Sequence, residues 1–80
     1  MKLKWRDFGN GVWQSRDCGY ELWVHRNASR GFCAVAEFFG QQNREADLAT
    51  VDEAKAEAEK MLLKMVEAME ERIKQIKEPL

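Results

Sequence analysis

Residues 50–78 read TVDEAKAEAEKMLLKMVEAMEERIKQIKE, and the rest of the chain is organised around them. Thr50 offers a capping hydroxyl, and Glu53, three residues on, can reach back to the Thr50 amide as a capping box. Asp52 and Glu53 suit the positive end of the helix dipole. Apolar residues then recur at Val51, Ala54, Ala58, Met61 or Leu62, Met65, Met69, Ile73 and Ile76, a spacing close to the 3.6-residue period of a straight amphipathic helix. Pro79 marks the stop. The stripe is lined by alanine in its first half and by methionine, leucine and isoleucine in its second, so the two halves want different neighbours.

Working outward, Phe32 to Phe39 is a nearly continuous apolar run broken by Glu37, as expected of a strand covered on both faces. Tyr20 to His25 alternates, with Tyr20, Leu22 and Val24 on one face and Glu21, Trp23 and His25 on the other. Val12 to about Arg16 is a third strand. Asp17-Cys18-Gly19 and Asn27 to Gly31 are turns by composition. Ahead of Gly9-Asn10-Gly11 two readings stand: Leu3, Trp5 and Phe8 belong to a short extra N-terminal strand, or Leu3 and Trp5 form a packed arm and the first strand starts at Val12. Residues 40–49 are polar apart from Leu48 and read as a connection. The expected architecture is a single α+β domain over residues 1–80. A three-stranded antiparallel sheet occupies about 3–39, and one long helix over 50–78 packs on one face.

Seven-residue strands span about 23 Å, and a helix of this length about 42 Å. The helix must therefore overhang its sheet. Ala54 and Ala58 allow close approach to bulky sheet residues such as Tyr20, Leu22 and a tryptophan. Leu62, Met65, Val66, Met69, Ile73 and Ile76 are left as an apolar seam, and a homodimer through antiparallel helices is the expected way to cover it. A non-self partner that exploits the adaptable methionines is the alternative.

With 80 residues the chain is near the lower limit for a self-sufficient core. No apolar run reaches the roughly 20 residues that span a bilayer, and Met1 to Phe8 lacks the apolar segment of a signal peptide. A cytoplasmic protein is expected, with its two cysteines, Cys18 and Cys33, reduced. The net charge of −1 hides an asymmetry: residues 1–44 carry seven Lys and Arg against four acids, and residues 45–80 carry six against ten.

Chemistry has few candidates. His25 is the sole histidine, and it could approach Cys33 across the hairpin if the register pairs them. A Cys–His nucleophile needs a thiolate-stabilising site and an oxyanion hole, and neither is signalled here. One His and two Cys are too few for a tetrahedral metal site, and the glycines form no phosphate loop. No enzyme and no cofactor are expected. Three binding surfaces remain. Trp23, His25, Arg26 and Arg30, at the open sheet face and hairpin tip, are candidates for contact with a protein partner. Arg16, Trp23, Arg26 and Arg30 are candidates for nucleic acid, pairing phosphate contact with stacking. The acidic helix face, with Glu53, Glu57, Glu67 and Glu71, could mimic nucleic acid.

The tryptophan near the start, strands opened by Gly19-Tyr20 and Gly31-Phe32, and Thr50-Val51-Asp52-Glu53-Ala54-Lys55 entering a terminal helix resemble small accessory proteins of bacteriophages and prophages. That resemblance implies a counter-defence factor, anti-CRISPR proteins among them, that occupies a surface of a protein or ribonucleoprotein complex in a bacterial host cell. The layout is also similar to DNA-binding domains of the AP2 type and to the arm-binding domains of phage integrases. This chain departs from those by lacking an arginine-rich sheet and by its longer, acidic helix, and no functional residue is carried over from them.

Overall fold

The computed structural model describes residues 3–17, 19–27 and 31–77. An antiparallel sheet of five strands, β1 (Arg6–Gly9), β2 (Val12–Asp17), β3 (Tyr20–Arg26), β4 (Phe32–Phe38) and β5 (Gln41–Leu48), precedes one helix, α1 (Val51–Lys77). The strands lie side by side in chain order, a simple meander. The architecture is thus α+β, as expected, with five strands where three were read.

Both additional strands sit at the edges, and both are made by tight two-residue turns. Gly9 pairs with Val12 across Asn10 and Gly11, which have φ of 54° and 75°, and Phe38 pairs with Gln41 across Phe39 and Gly40, at 48° and 86°. Two successive positive φ angles are the turn whose twist matches a hairpin. The N-terminal segment combines the two readings: Arg6–Gly9 is a strand, while Leu3 and Trp5 ahead of it pack against the core as an arm.

The stretch read as a connection is β5, and its residues are exposed up to Leu48. A strand with neither face buried has no reason to alternate, so its sequence carries no period-two signal. Backbone pairing to β4 makes it a strand, and the Asn27 side-chain amide donates to Asp47 Oδ1 at 3.1 Å, tying the far end of β5 to the end of β3. Gly31 is required where β4 begins, since it has φ +75° and a Cβ there would stand 2.5 Å from the Leu48 carbonyl oxygen.

The helix lies over β3, β4 and β5. Alternation sends Leu22 and Val24 of β3 and Ala34 and Ala36 of β4 toward it, and all four are fully buried with Ala54 and Ala58. Alanine faces alanine, so the backbones approach closely, while Trp13, Tyr20, Phe32 and Phe38 fill the margins. The start of the helix is capped as its sequence indicates, with one shift. The Glu53 amide donates to Thr50 Oγ1 at 3.1 Å, but Glu53 Oε2 accepts from the Ala49 amide, one residue earlier than a regular capping box.

The overhang also starts later than expected. Met61, Leu62 and Met65 are buried against the sheet, and Glu70 to Lys77 are exposed. Fifteen helical residues, 51 to 65, rise about 21 Å, which matches the roughly 23 Å of a seven-residue strand. Geometry, and not the change from alanine to methionine, sets where the helix leaves its sheet. The molecule measures 51 × 21 × 20 Å, elongated by the projecting helix end.

Candidate functional site

The face of the sheet away from the helix is covered by no described element. Strand register assigns it Arg6 from β1, Gln14 and Arg16 from β2, Glu21, Trp23 and His25 from β3, and Cys33, Val35 and Glu37 from β4. Gln42 and Arg44 of β5, opposite Glu37 and Val35, lie on it as well. Gln14, Cys33 and Val35 are nevertheless buried, so this face carries its own thin layer of side chains.

The centre of that layer is aromatic. Phe8, exposed at 51%, stacks on Trp23 with ring centroids 6.1 Å apart and an interplanar angle of 29°. The Arg6 guanidinium stands 5.6 Å from the Phe8 ring. Underneath, Trp23 Nε1–H donates to Glu21 Oε1 at 2.6 Å, and the Gln14 amide donates to the same oxygen at 3.1 Å. A carboxylate accepting two such bonds holds the indole in one orientation.

Two clefts lie on the side of the aromatic pair toward the β2–β3 turn. One, of about 350 Å³, is lined by Lys4, Trp5, Arg6, Gln14 and Arg16. The other, of about 360 Å³ at the β2–β3 turn, is bordered by Arg16, Glu21, Glu37 and Phe39 among others. Arg16 belongs to both.

Trp23, His25 and Arg16 share the open face, but Arg26 does not. Arg26 pairs with Phe32 on the helix side, its guanidinium 5.9 Å from the Phe32 ring. Both predicted surfaces containing Arg26 are therefore divided between the two faces of the sheet, and Arg30 lies outside the described residues. The alternation that puts Val24 on the helix side puts Arg26 there too, so this placement was available from the sequence. Arg6 and Phe8, two residues apart ahead of an Asn-Gly turn, were the missed members of the face. His25 does stand opposite Cys33 in the ladder. Cys33 is a free, buried thiol at 4% exposure, and His25 Nδ1–H donates instead to the Arg26 carbonyl at 3.2 Å.

On the helix, Leu62 and Met65 belong to the core, which removes them from any seam, while Val66 and Met69 are half-buried and Ile73 and Ile76 exposed. Of the acidic face, Glu53 serves as a cap, Glu57 is half-buried, and Glu67 and Glu71 are exposed among lysines. Among the described residues no group of three or more His, Cys, Asp or Glu could hold a metal ion, and no helix is long and apolar enough to cross a membrane.

The fold defines a class: a meander sheet with one face sealed by a helix and the other presented to solvent. Comparison of the chain with known protein families, with curated proteins and with solved structures finds no match.

Proposed function

We propose that this chain is a non-enzymatic binding protein that occupies a surface of a protein or ribonucleoprotein complex through the open face of its sheet, in the manner its resemblance to phage accessory proteins implies. The observation that carries this reading is the Phe8–Trp23 stack, an aromatic pair on an uncovered face with its indole held by Glu21. Large aromatic side chains and arginines supply most binding energy at interfaces, and a side chain already held in place loses little freedom on docking. Affinity capture from nuclease-treated bacterial lysate tests it. Proteins retained by the wild-type chain are to be lost by Trp23→Ala and by Phe8→Ala with far-UV circular dichroism unchanged. Equal retention by both variants would show that this face is not the contact surface.

The projecting end of the helix is assigned to self-association. Leu62, Val66, Met69, Ile73 and Ile76 follow in alternating steps of four and three, the 3.5-residue repeat of a coiled coil. With Leu62 taken by the core, Val66, Met69, Ile73 and Ile76 form the seam. Light scattering at tens of micromolar is to give a dimer that Ile73→Glu dissociates, and a wild-type monomer would refute the assignment.

A further inference from the structure

The cleft lined by Lys4, Arg6 and Arg16 concentrates positive charge that the fold itself does not use. Arg6 sits opposite Gln14, and Arg16 lies two residues further along β2 on the same face. That diagonal places the two backbones about 7–8 Å apart. Among the described residues none of the three cations is in an ion pair. The acid opposite Arg16 in the ladder, Glu21, already accepts from Trp23 and Gln14 on its Oε1. Three like charges around one cavity of about 350 Å³ repel one another, and an anion placed between them would relieve that repulsion.

The surroundings select among anions. Trp5 borders the cleft with its ring packed against the core beside Lys55, and the Arg6 side chain connects the cleft to the half-exposed Phe8 ring. Guanidinium groups present a donor fork that fits a phosphate, and aromatic rings next to such cations are what single-stranded nucleic acid uses, phosphate on the cations and bases on the rings. A run of carboxylates from an acidic protein segment would meet the cations but leave the exposed Phe8 ring unused. We propose that this cleft binds the phosphodiester backbone of single-stranded nucleic acid, with Arg6 and Arg16 as the phosphate contacts and Lys4 as a supporting charge. The phosphate contacts are residues other than the Phe8–Trp23 anchor, so substitutions at Arg6 and Arg16 test this site separately from the protein contact proposed above.

Fluorescence anisotropy of a labelled oligothymidylate titrated with the full chain tests the proposal. Binding at low salt is expected, with log K falling against log salt by about 0.7 per phosphate contact. Replacing both Arg6 and Arg16 by Gln is to flatten that slope by about 1.4, while Arg44→Gln, a cation of the same face on the far strand, leaves it unchanged. Both arginines are exposed, so far-UV circular dichroism is to match the wild type. Absence of binding at low salt, or a slope unaltered by the double substitution, overturns the proposal. Competition by oligoglutamate as effective as that by unlabelled oligothymidylate also overturns it, and assigns the cleft to an acidic protein segment.

Discussion

Lys55→Met keeps nearly the length and apolar character of the side chain and removes its charge from a place where two indoles surround it. Lys55 Nζ lies 3.7 Å from the centroid of the Trp13 ring and 5.7 Å from that of Trp5. A cation over an aromatic face contributes about 0.5–1 kcal/mol when exposed and about 2 when desolvated. Lys55 is half-buried, and with two rings the expected loss is about 1–2 kcal/mol. The competing explanations are smaller. Methionine and lysine have nearly equal helix propensity, and an i,i+4 pair between Lys55 and Glu59, in its less favourable order, would contribute at most about 0.2–0.5 kcal/mol. For a domain of this size the melting temperature should fall by roughly 5–15 °C. Urea unfolding followed by tryptophan emission and by circular dichroism measures the loss. A cycle with Trp13→Leu then isolates the pair, with a coupling energy of about 1 kcal/mol expected for groups in contact. A Lys55→Met protein as stable as the wild type, or a coupling energy indistinguishable from zero, would refute the reasoning.

Three further outcomes are expected. Leu62→Ala empties a site that is 2% exposed and should cost about 2–5 kcal/mol in urea unfolding, whereas Ile76→Ala, at 83% exposure in the single chain and measured dilute enough to keep the chain monomeric, should stay within about 0.5. Gly31→Ala combines a left-handed backbone with a Cβ 2.5 Å from a backbone oxygen and should cost at least about 2 kcal/mol, against about 1 for Gly40→Ala, where nothing lies within 4 Å; equal effects would remove the argument from close approach. Glu21→Gln turns two charge-assisted hydrogen bonds into neutral ones, so a loss of about 1–2 kcal/mol should appear together with faster solvent exchange of the Trp23 indole proton by NMR.

Much of the open face can be read from alternation alone. Once Leu22 and Val24 are taken as core, Glu21, Trp23 and His25 must point the other way, and Trp23 is found there. The same rule, carried one residue further, removes Arg26 from the face. What alternation within one strand cannot supply is the neighbour across the ladder. That Arg6 lies beside Gln14 and Arg16, and that Phe8 reaches Trp23, follows from pairing between strands whose register is set by the turns, with an irregularity between Asp7 and Gly9.

By itself the sequence determined the helix and its cap, the three inner strands and the class of the fold, because each rests on a periodic burial pattern or a local hydrogen bond written in consecutive residues. Tertiary structure alone decided that residues 41–48 are a strand, since an exposed edge strand buries neither face and owes its conformation to the backbone of β4. It also decided which helix residues are core. Met61, Leu62 and Met65 resemble their successors in type, and only the length of the sheet beneath them separates the buried from the exposed. The cleft of Lys4, Arg6 and Arg16 belongs to the same category, because charges distant along the chain become one site only when two strands pair.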